Sequence, residues 1–420
     1  MMRTRAILPA VIYALCLLQH GPVLAAEAEP PFDAAAGAVF LMNARSGRVM
    51  CAKNPDTPIP PASLTKVMTL AVAYDAIESG QASLDDEVLI SEKAWRTGGS
   101  RMFVTLNSRV PLRSLIEGIA IVSGNDACVA VAEHIAGTED AFVEKMNRTA
   151  AEIGMQSTVF KNCHGLPDDQ HTTARDMALL ARYYISRHPE CLKIHSTKEL
   201  TYNSITQRNR NGLLWLDSGY DGLKTGWFEA AGYHIIATAL NDGDRFIAVV
   251  MGARTVSQRE ATARQLITYG FRNFTTIEAL SPNTAIAQAS VVKGVQDTVQ
   301  LGPARAVVLT IERSSLGAIV VQNDVSQSVQ APVAPGQEFG SARVLLREET
   351  LASVPLVALH AVERAALMRR MLQTVKLFFA QPPYWGALAL VLLIVAACAA
   401  AITSRRGSTG RSRKKGDVFL

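Results

Sequence analysis

The chain has 420 residues, of which 49% are hydrophobic, 19% charged and 6% aromatic, with a formal net charge of +5. This is ample for a large buried core, so neither metal nor disulfide is needed for stability, and it excludes a wholly disordered polymer. Residues 1–26 account for +2 and residues 404–420 for +5, so the body between them is left at −2. A nucleic-acid-binding body is expected to be basic, and this one is not.

Met1 to Arg5 is basic, Ala6 to Leu18 is a short apolar run, and Val23-Leu24-Ala25-Ala26 supplies small residues. This order is that of an export signal over 1–26, with cleavage after Ala25 or Ala26, and it predicts a body that works outside the cytoplasm. A main domain is expected over 27–276. It opens with strands over 36–58, turned at Asn43-Ala44-Arg45-Ser46-Gly47. Pro58, Pro60 and Pro61 then break the chain. Leu64, Val67, Met68, Ala71, Tyr74 and Ile77 recur at helical spacing from Ser63 to about Ser79, with Gly80 as the stop. Helices are predicted over Leu112–Val122, Ala127–Ala136 and Met177–Ile185, the last capped from Thr173. Gly232–Leu240 and Phe246–Gly252 read as a hairpin turned at Asn241-Asp242-Gly243-Asp244, and a helix follows at about Gln258–Tyr269. Strands at both ends with helices between predict one α/β (α+β) domain whose N-terminal strand joins a C-terminal antiparallel sheet.

Residues 277–355 carry short Val-rich runs and Gly/Pro punctuation, which predicts a small all-β, sandwich-like domain acting as a spacer. Over 356–383, Met368, Met371, Leu372, Val375 and Phe379 fall near one helical face, which predicts an amphipathic juxtamembrane helix. Residues 384–403 are uncharged and end in a basic tail, 404–420. That predicts a transmembrane helix with its C-terminal end in the cytoplasm, anchoring the body to the inner membrane. Outside these ends lie Cys51, Cys128, Cys163 and Cys191, for which three disulfide pairings are conceivable. No Cys/His cluster has zinc-ligand spacing, and neither metal nor cofactor is expected.

Three short motifs carry chemistry. Ser63-Leu64-Thr65-Lys66 sets a serine and a lysine at i and i+3, on one helical face. A serine needs a base to become a nucleophile, and a lysine serves once it is neutral. With an ordinary pKa near 10.4, only about one lysine in 2,500 is neutral at pH 7, so the site must lower that value. Ser123-Gly124-Asn125 reads alone as an interhelical turn. Lys224-Thr225-Gly226 offers a cation and a hydroxyl for a carboxylate, with a glycine that permits close backbone approach.

Taken together and in order, Ser-x-x-Lys, Ser-x-Asn and Lys-Thr-Gly resemble the set shared by penicillin-binding proteins and class A β-lactamases. The flanks Pro61 to Thr69, Ser123 to Ala130, Thr173 to Leu180, Asn209 to Trp215 and Asp221 to Gly226 resemble the low-molecular-mass penicillin-binding proteins that are serine-type D-alanyl-D-alanine carboxypeptidases. The resemblance covers about residues 30–280 and continues more weakly to 355. It implies a transpeptidase-like fold and removal of the terminal D-alanine from peptidoglycan stem pentapeptides through an acyl-enzyme. It also implies acylation by β-lactam antibiotics.

Carried over by motif, Ser63 is the nucleophile, Lys66 the general base and Ser123 the proton relay. Asn125, Arg210, Lys224, Thr225 and Gly226 are expected to bind substrate, with Asn125 orienting the substrate amide and Lys66. The oxyanion hole is expected from the backbone N–H of Ser63 and Trp227. Trp227 stands where relatives often carry a smaller or more polar residue. His164 and His171 read as loop histidines, and Cys128 as a buried thiol. A class A β-lactamase is disfavoured by the lack of a Glu-x-x-Leu-Asn stretch between Asn125 and Lys224. D,D-endopeptidase cleavage could use the same residues. A non-catalytic β-lactam sensor or scaffold is disfavoured by the intact motifs and a tail too short to fold.

Overall fold

The computed structural model describes residues 27–216, 219–368, 371 and 389–397. The export segment 1–26, the segments 372–388 and 398–403, and the tail 404–420 lie outside the described residues. The described chain divides into two units, one reaching to Thr276 with Thr310–Arg313, the other comprising Ile277–Leu309 and the chain from Ser314.

The first unit is built on a five-stranded, wholly antiparallel sheet. Its strands are β1 (Ala38–Asn43), β2 (Val49–Lys53), β3 (Tyr220–Phe228), β4 (Gly232–Asn241) and β5 (Asp244–Ala253), in the order β2-β1-β5-β4-β3. The N-terminal strand therefore pairs with the C-terminal hairpin, Phe40 opposite Val249, as its apolar run predicts. The hairpin turns through Asp242 and Gly243, both at positive φ, the requirement of a two-residue turn that matches strand twist.

Strand residues alternate between two cores. Ala38, Phe40, Met42, Ile236 and Val249 face a helical layer, whereas Val39, Leu41, Ile235, Ala237 and Val250 face Ala263, Leu266 and Ile267. Burial on both faces explains why these strands read as continuous apolar runs. The helices are α1 (Thr65–Glu78), α2 (Leu112–Ile121), α3 (Asn125–Ala136), α4 (Glu139–Glu152), α5 (Ala174–Arg187) and α6 (Val256–Asn273). Helix α1 is buried on every side, as a helix apolar all round must be. Thr173 caps α5 by accepting from the Asp176 N–H at 3.1 Å. Helix α4 has no counterpart in the predicted elements. Its signals are the cap Thr138, the acids Glu139 and Asp140 in the first turn, and Phe142, Met146 and Ala150 four apart.

The second unit holds one six-stranded mixed sheet, in the order Ile319–Val325, Glu338–Leu346, Glu349–Ala358, Thr298–Pro303, Ala287–Val292, Ser328–Gln330. Leu301, Val344, Val354 and Leu356 form its core.

Two sequence expectations are corrected here. The segment from 356 does not begin as a helix. Leu356 to Ala358 complete a strand, Val362 bridges to Val333 and Arg364 to Gly294, and helical turns start only at 367. The fold-class reading of a C-terminal transmembrane helix over 384–403 is likewise overturned. Among the described residues no helix is long and apolar enough to cross a membrane, and the helical stretch within that range is 389–397.

Leu356 is fully buried in the sheet. Leu356→Ala is therefore expected to destabilise the second unit by about 2–5 kcal/mol, measured by urea unfolding; a helix lying exposed at this position would register no such loss.

Candidate active site

Pro60 and Pro61 lead into a single 3-10 turn, Ala62–Leu64, which runs directly into α1. Ala62 is held at φ +48°, a left-handed conformation uncommon for a residue with a Cβ. From Pro61 to Tyr74 every residue is buried except Ser63. One turn on, Lys66 is fully buried, and its Nζ donates to Ser63 Oγ at 3.1 Å and to the carbonyl oxygen of His164. The serine–lysine pair expected from spacing is thus in contact.

Burial pushes the Lys66 ammonium below the usual lysine range, and Arg210 adds to the effect. Thiolates at Cys128 and Cys163 would oppose it, but burial pushes Cys128 up to about 12 and raises Cys163 well above the usual thiol range, so neither is ionised near neutral pH. Lys224 is also buried and is driven well below its ordinary value by burial, by Lys66 and by Arg210. Its Nζ donates to the Thr225 carbonyl at 3.0 Å. Two buried ammonium groups in mutual repulsion favour the loss of one proton, which is the condition a lysine base requires.

Ser123 lies between α2 and α3 at φ +64°, and its buried hydroxyl has no hydrogen-bond partner among the described residues. Asn125 opens α3 with its Nδ2 donating to Gly98 O at 2.7 Å, so the structure ties this side chain to the 98–104 loop rather than to Lys66. The adjacent Asp126 holds the same loop, accepting from the backbone N–H of Met102, Phe103 and Val104 at 2.9–3.2 Å.

The third motif lies on β3, an edge of the sheet, where outward backbone groups have no strand partner. A Cβ added at Gly226 would lie 3.3 Å from the Ser63 nitrogen and 3.4 Å from that of Leu64, so glycine sets how closely strand and nucleophile approach. Thr225 is buried, while Trp227 is 57% exposed and lies against Tyr233, with ring centroids 6.1 Å apart and planes tilted by 40°. Arg210 is exposed on a loop tied down on both sides. Asn209 donates to the carbonyls of His195 and Thr197, and Asn211 donates to Gly222 O at 3.0 Å while capping the Gly212–Trp215 turn. The repeated asparagines of Asn209-Arg210-Asn211 thus have a mechanical purpose. Behind the strand, His195 donates from Nδ1 to Leu223 O at 2.8 Å, and burial keeps it neutral with its pKa pushed down to about 3.

The two loop histidines do not form a triad. His164 meets Lys66 through its carbonyl, and its buried ring is pushed down to about 4. His171 pairs through its backbone with Val159. Cys51, Cys128, Cys163 and Cys191 are free, buried thiols, so none of the three conceivable pairings is made. Asp75, Glu78 and His188 bring ligand-type atoms within 4.8 Å of one another, but Arg187 already pairs with both carboxylates. The sequence reading missed the His164 carbonyl, the Gly98 carbonyl and the Asp126 clamp. Two of these are backbone atoms, which leave no residue signature.

The profile of a family described as D-alanyl-D-alanine carboxypeptidase matches residues 24–255, and that of the penicillin-binding protein 5 C-terminal domain matches residues 274–364. The chain is 36% identical over 386 residues to D-alanyl-D-alanine carboxypeptidase DacD of Salmonella typhimurium, covering 88% of this chain and 98% of that protein. Among solved structures, penicillin-binding protein 5 from Haemophilus influenzae superposes with a TM-score of 0.74 at 38% identity, covering 80% of this chain and 99% of that one. Penicillin-binding protein D2 from Listeria monocytogenes, solved in its ampicillin-bound form, superposes with a TM-score of 0.54 at 30% identity, covering 58% of this chain and all of that one (100%). With its serine–lysine pair and this likeness over most of its length, the chain belongs to the D-alanyl-D-alanine carboxypeptidase family and is a serine-type carboxypeptidase.

Proposed function

We propose that this carboxypeptidase removes the terminal D-alanine from peptidoglycan stem pentapeptides through an acyl-enzyme on Ser63. The observation that carries the reading is the contact between Ser63 and a fully buried Lys66 whose ammonium is disfavoured. Lys66 takes the Ser63 proton as Oγ attacks the penultimate D-alanine carbonyl. The backbone N–H groups of Ser63 and Trp227 receive the oxyanion, each contributing about 3–4 kcal/mol. Ser123, whose hydroxyl is uncommitted, passes the proton from Lys66 to the departing amine. Water then cleaves the ester, with Lys66 again as base. Lys224, Thr225 and Arg210 hold the terminal carboxylate beside Gly226, and Asn125 presents its Oδ1 to the substrate amide because its Nδ2 is committed to Gly98.

A β-lactam presents an acyl carbon and a carboxylate to the same groups, and we infer that it acylates Ser63. The ampicillin-bound form of the Listeria relative supports this. The export pattern of residues 1–26 supports a body that works outside the cytoplasm, and the basic residues of 404–420 support attraction to anionic lipid headgroups of the inner membrane.

Incubating the full chain with a peptide ending in L-Lys-D-Ala-D-Ala is expected to release one D-alanine per peptide, falling to background in Ser63→Ala. Release that persists in the variant would refute the assignment. Arg210→Gln is expected to lower kcat/KM about 10–100-fold by removing a charged hydrogen-bond partner. It removes a cation that depresses Lys66, so the acid limb of the pH–rate profile should move to higher pH; a limb that stays put or moves down would contradict the electrostatic account.

A further inference from the structure

Glu139 is the first residue of α4, where an acid suits the helix dipole. Its side chain is nevertheless buried, and a buried carboxylate is tolerated only when donors surround it. Here there are three, with a ring nitrogen close by. Lys93 Nζ lies 2.8 Å from Oε2, Oε1 accepts from Cys163 N–H at 3.1 Å and from Cys163 Sγ at 3.2 Å, and His164 Nε2 lies 3.4 Å from Oε1. The Leu166 N–H donates to His164 Nδ1 at 3.2 Å, so the ring carries its proton on Nε2, facing Glu139. Burial alone would raise the Glu139 carboxyl, but Lys93 and the two Cys163 donors hold it below the usual range.

The two residues gripped in this way turn their carbonyls to α1. Cys163 O accepts from Thr69 Oγ1 and His164 O accepts from Lys66 Nζ. Lys66 and Thr69 are three apart, on one face of that helix. The next residue, Gly165, sits at φ +84°, and a Cβ there would lie 1.9 Å from Ala62 O, against the turn that carries Ser63. The loop is therefore wedged between Glu139 and the serine–lysine pair.

We infer that Glu139 is a positioning residue for acylation: its carboxylate holds Cys163-His164 so that the His164 carbonyl fixes Lys66 Nζ against Ser63 Oγ. The inference rests on the reading of Lys66 as the base. The carbonyl occupies one Nζ proton and leaves the lone pair for Ser63. Carbonyl and carboxylate also both favour the ammonium, so a variant without the Glu139 charge is expected to shift Lys66 further toward the neutral amine.

The other titratable groups facing this region are retained in such a variant. Around Lys66 they are Asp126 and Cys128 of α3, Cys163, Arg210, and Lys224 of β3. Around Glu139 they are Lys93 of the Glu92–Arg96 helix, with Asp140 and Glu133 near that lysine, and Cys163 and His164. His164, already neutral, falls further without Glu139 and stays outside the working range.

The test is the rate of Ser63 acylation by benzylpenicillin as a function of pH, on the full chain. Glu139→Ala is expected to slow acylation about 10–100-fold and to move the acid limb to lower pH. Glu139→Gln keeps an acceptor for the Cys163 N–H and is expected to recover most of the rate while sharing the limb shift. An alanine variant that acylates like the wild type overturns the inference, as does a slower one with an unmoved limb and no recovery in Glu139→Gln, the pattern of mere loosening. Should Glu139→Ala fail to fold, the limb of Glu139→Gln decides alone: below the wild type's it supports the inference, unmoved it overturns it. A Lys66→Ala variant that acylates as fast as the wild type would instead refute the base reading itself.

Discussion

The rest of the site depends on the removal of Lys66 from water. A lysine in bulk solvent is protonated at neutral pH and is useless as a base, and only a desolvated surrounding reverses that preference. The fold supplies it by wrapping α1: α2, α3, α4 and α5 pack around it, and the 162–166 loop lies against its first turns. Among the described residues no carboxylate pairs directly with Lys66. It bonds to a hydroxyl and a carbonyl, while Arg210 and Lys224 supply like charge. Such a group costs stability, and the two cores flanking the sheet are where that cost is offset.

Close approach is the second constraint, and glycines set it. Gly226 brings the edge strand within van der Waals reach of the nucleophile's backbone, and Gly165 does the same for the loop on the other side. Ser63 is thus held between two backbone segments rather than by side chains. That fits a site whose oxyanion donors are main-chain N–H groups, since these move only if the whole strand or turn moves.

Much of this was legible in the sequence because it follows from periodicity and motif spacing. The i, i+3 relation of Ser63 and Lys66 became a 3.1 Å contact, and the apolar runs at both ends of the domain became neighbouring strands. What was not legible has a common cause. The His164 and Gly98 carbonyls are backbone atoms that any residue would carry. Asp126 and Glu139 act on segments 24 positions away in sequence, Met102 and Cys163, so no local pattern announces them. The misread helix at 356 arose because Val354, Leu356 and Ala358 alternate with period two and then run without punctuation into the apolar residues from Val362 onward. The span over 384–403 was inferred from length and lack of charge, which do not establish that a continuous helix forms.

The central claim is that burial in this fold shifts Lys66 toward its neutral form. It is tested most directly by a ¹³C,¹⁵N-lysine NMR titration of the protein, with the Lys66 Cε and Nζ resonances assigned by their loss in Lys66→Met. The account predicts a midpoint clearly below the ordinary lysine value of 10.5. A Lys66 that remains an ammonium up to that pH or beyond would contradict it and leave Ser63 without a base.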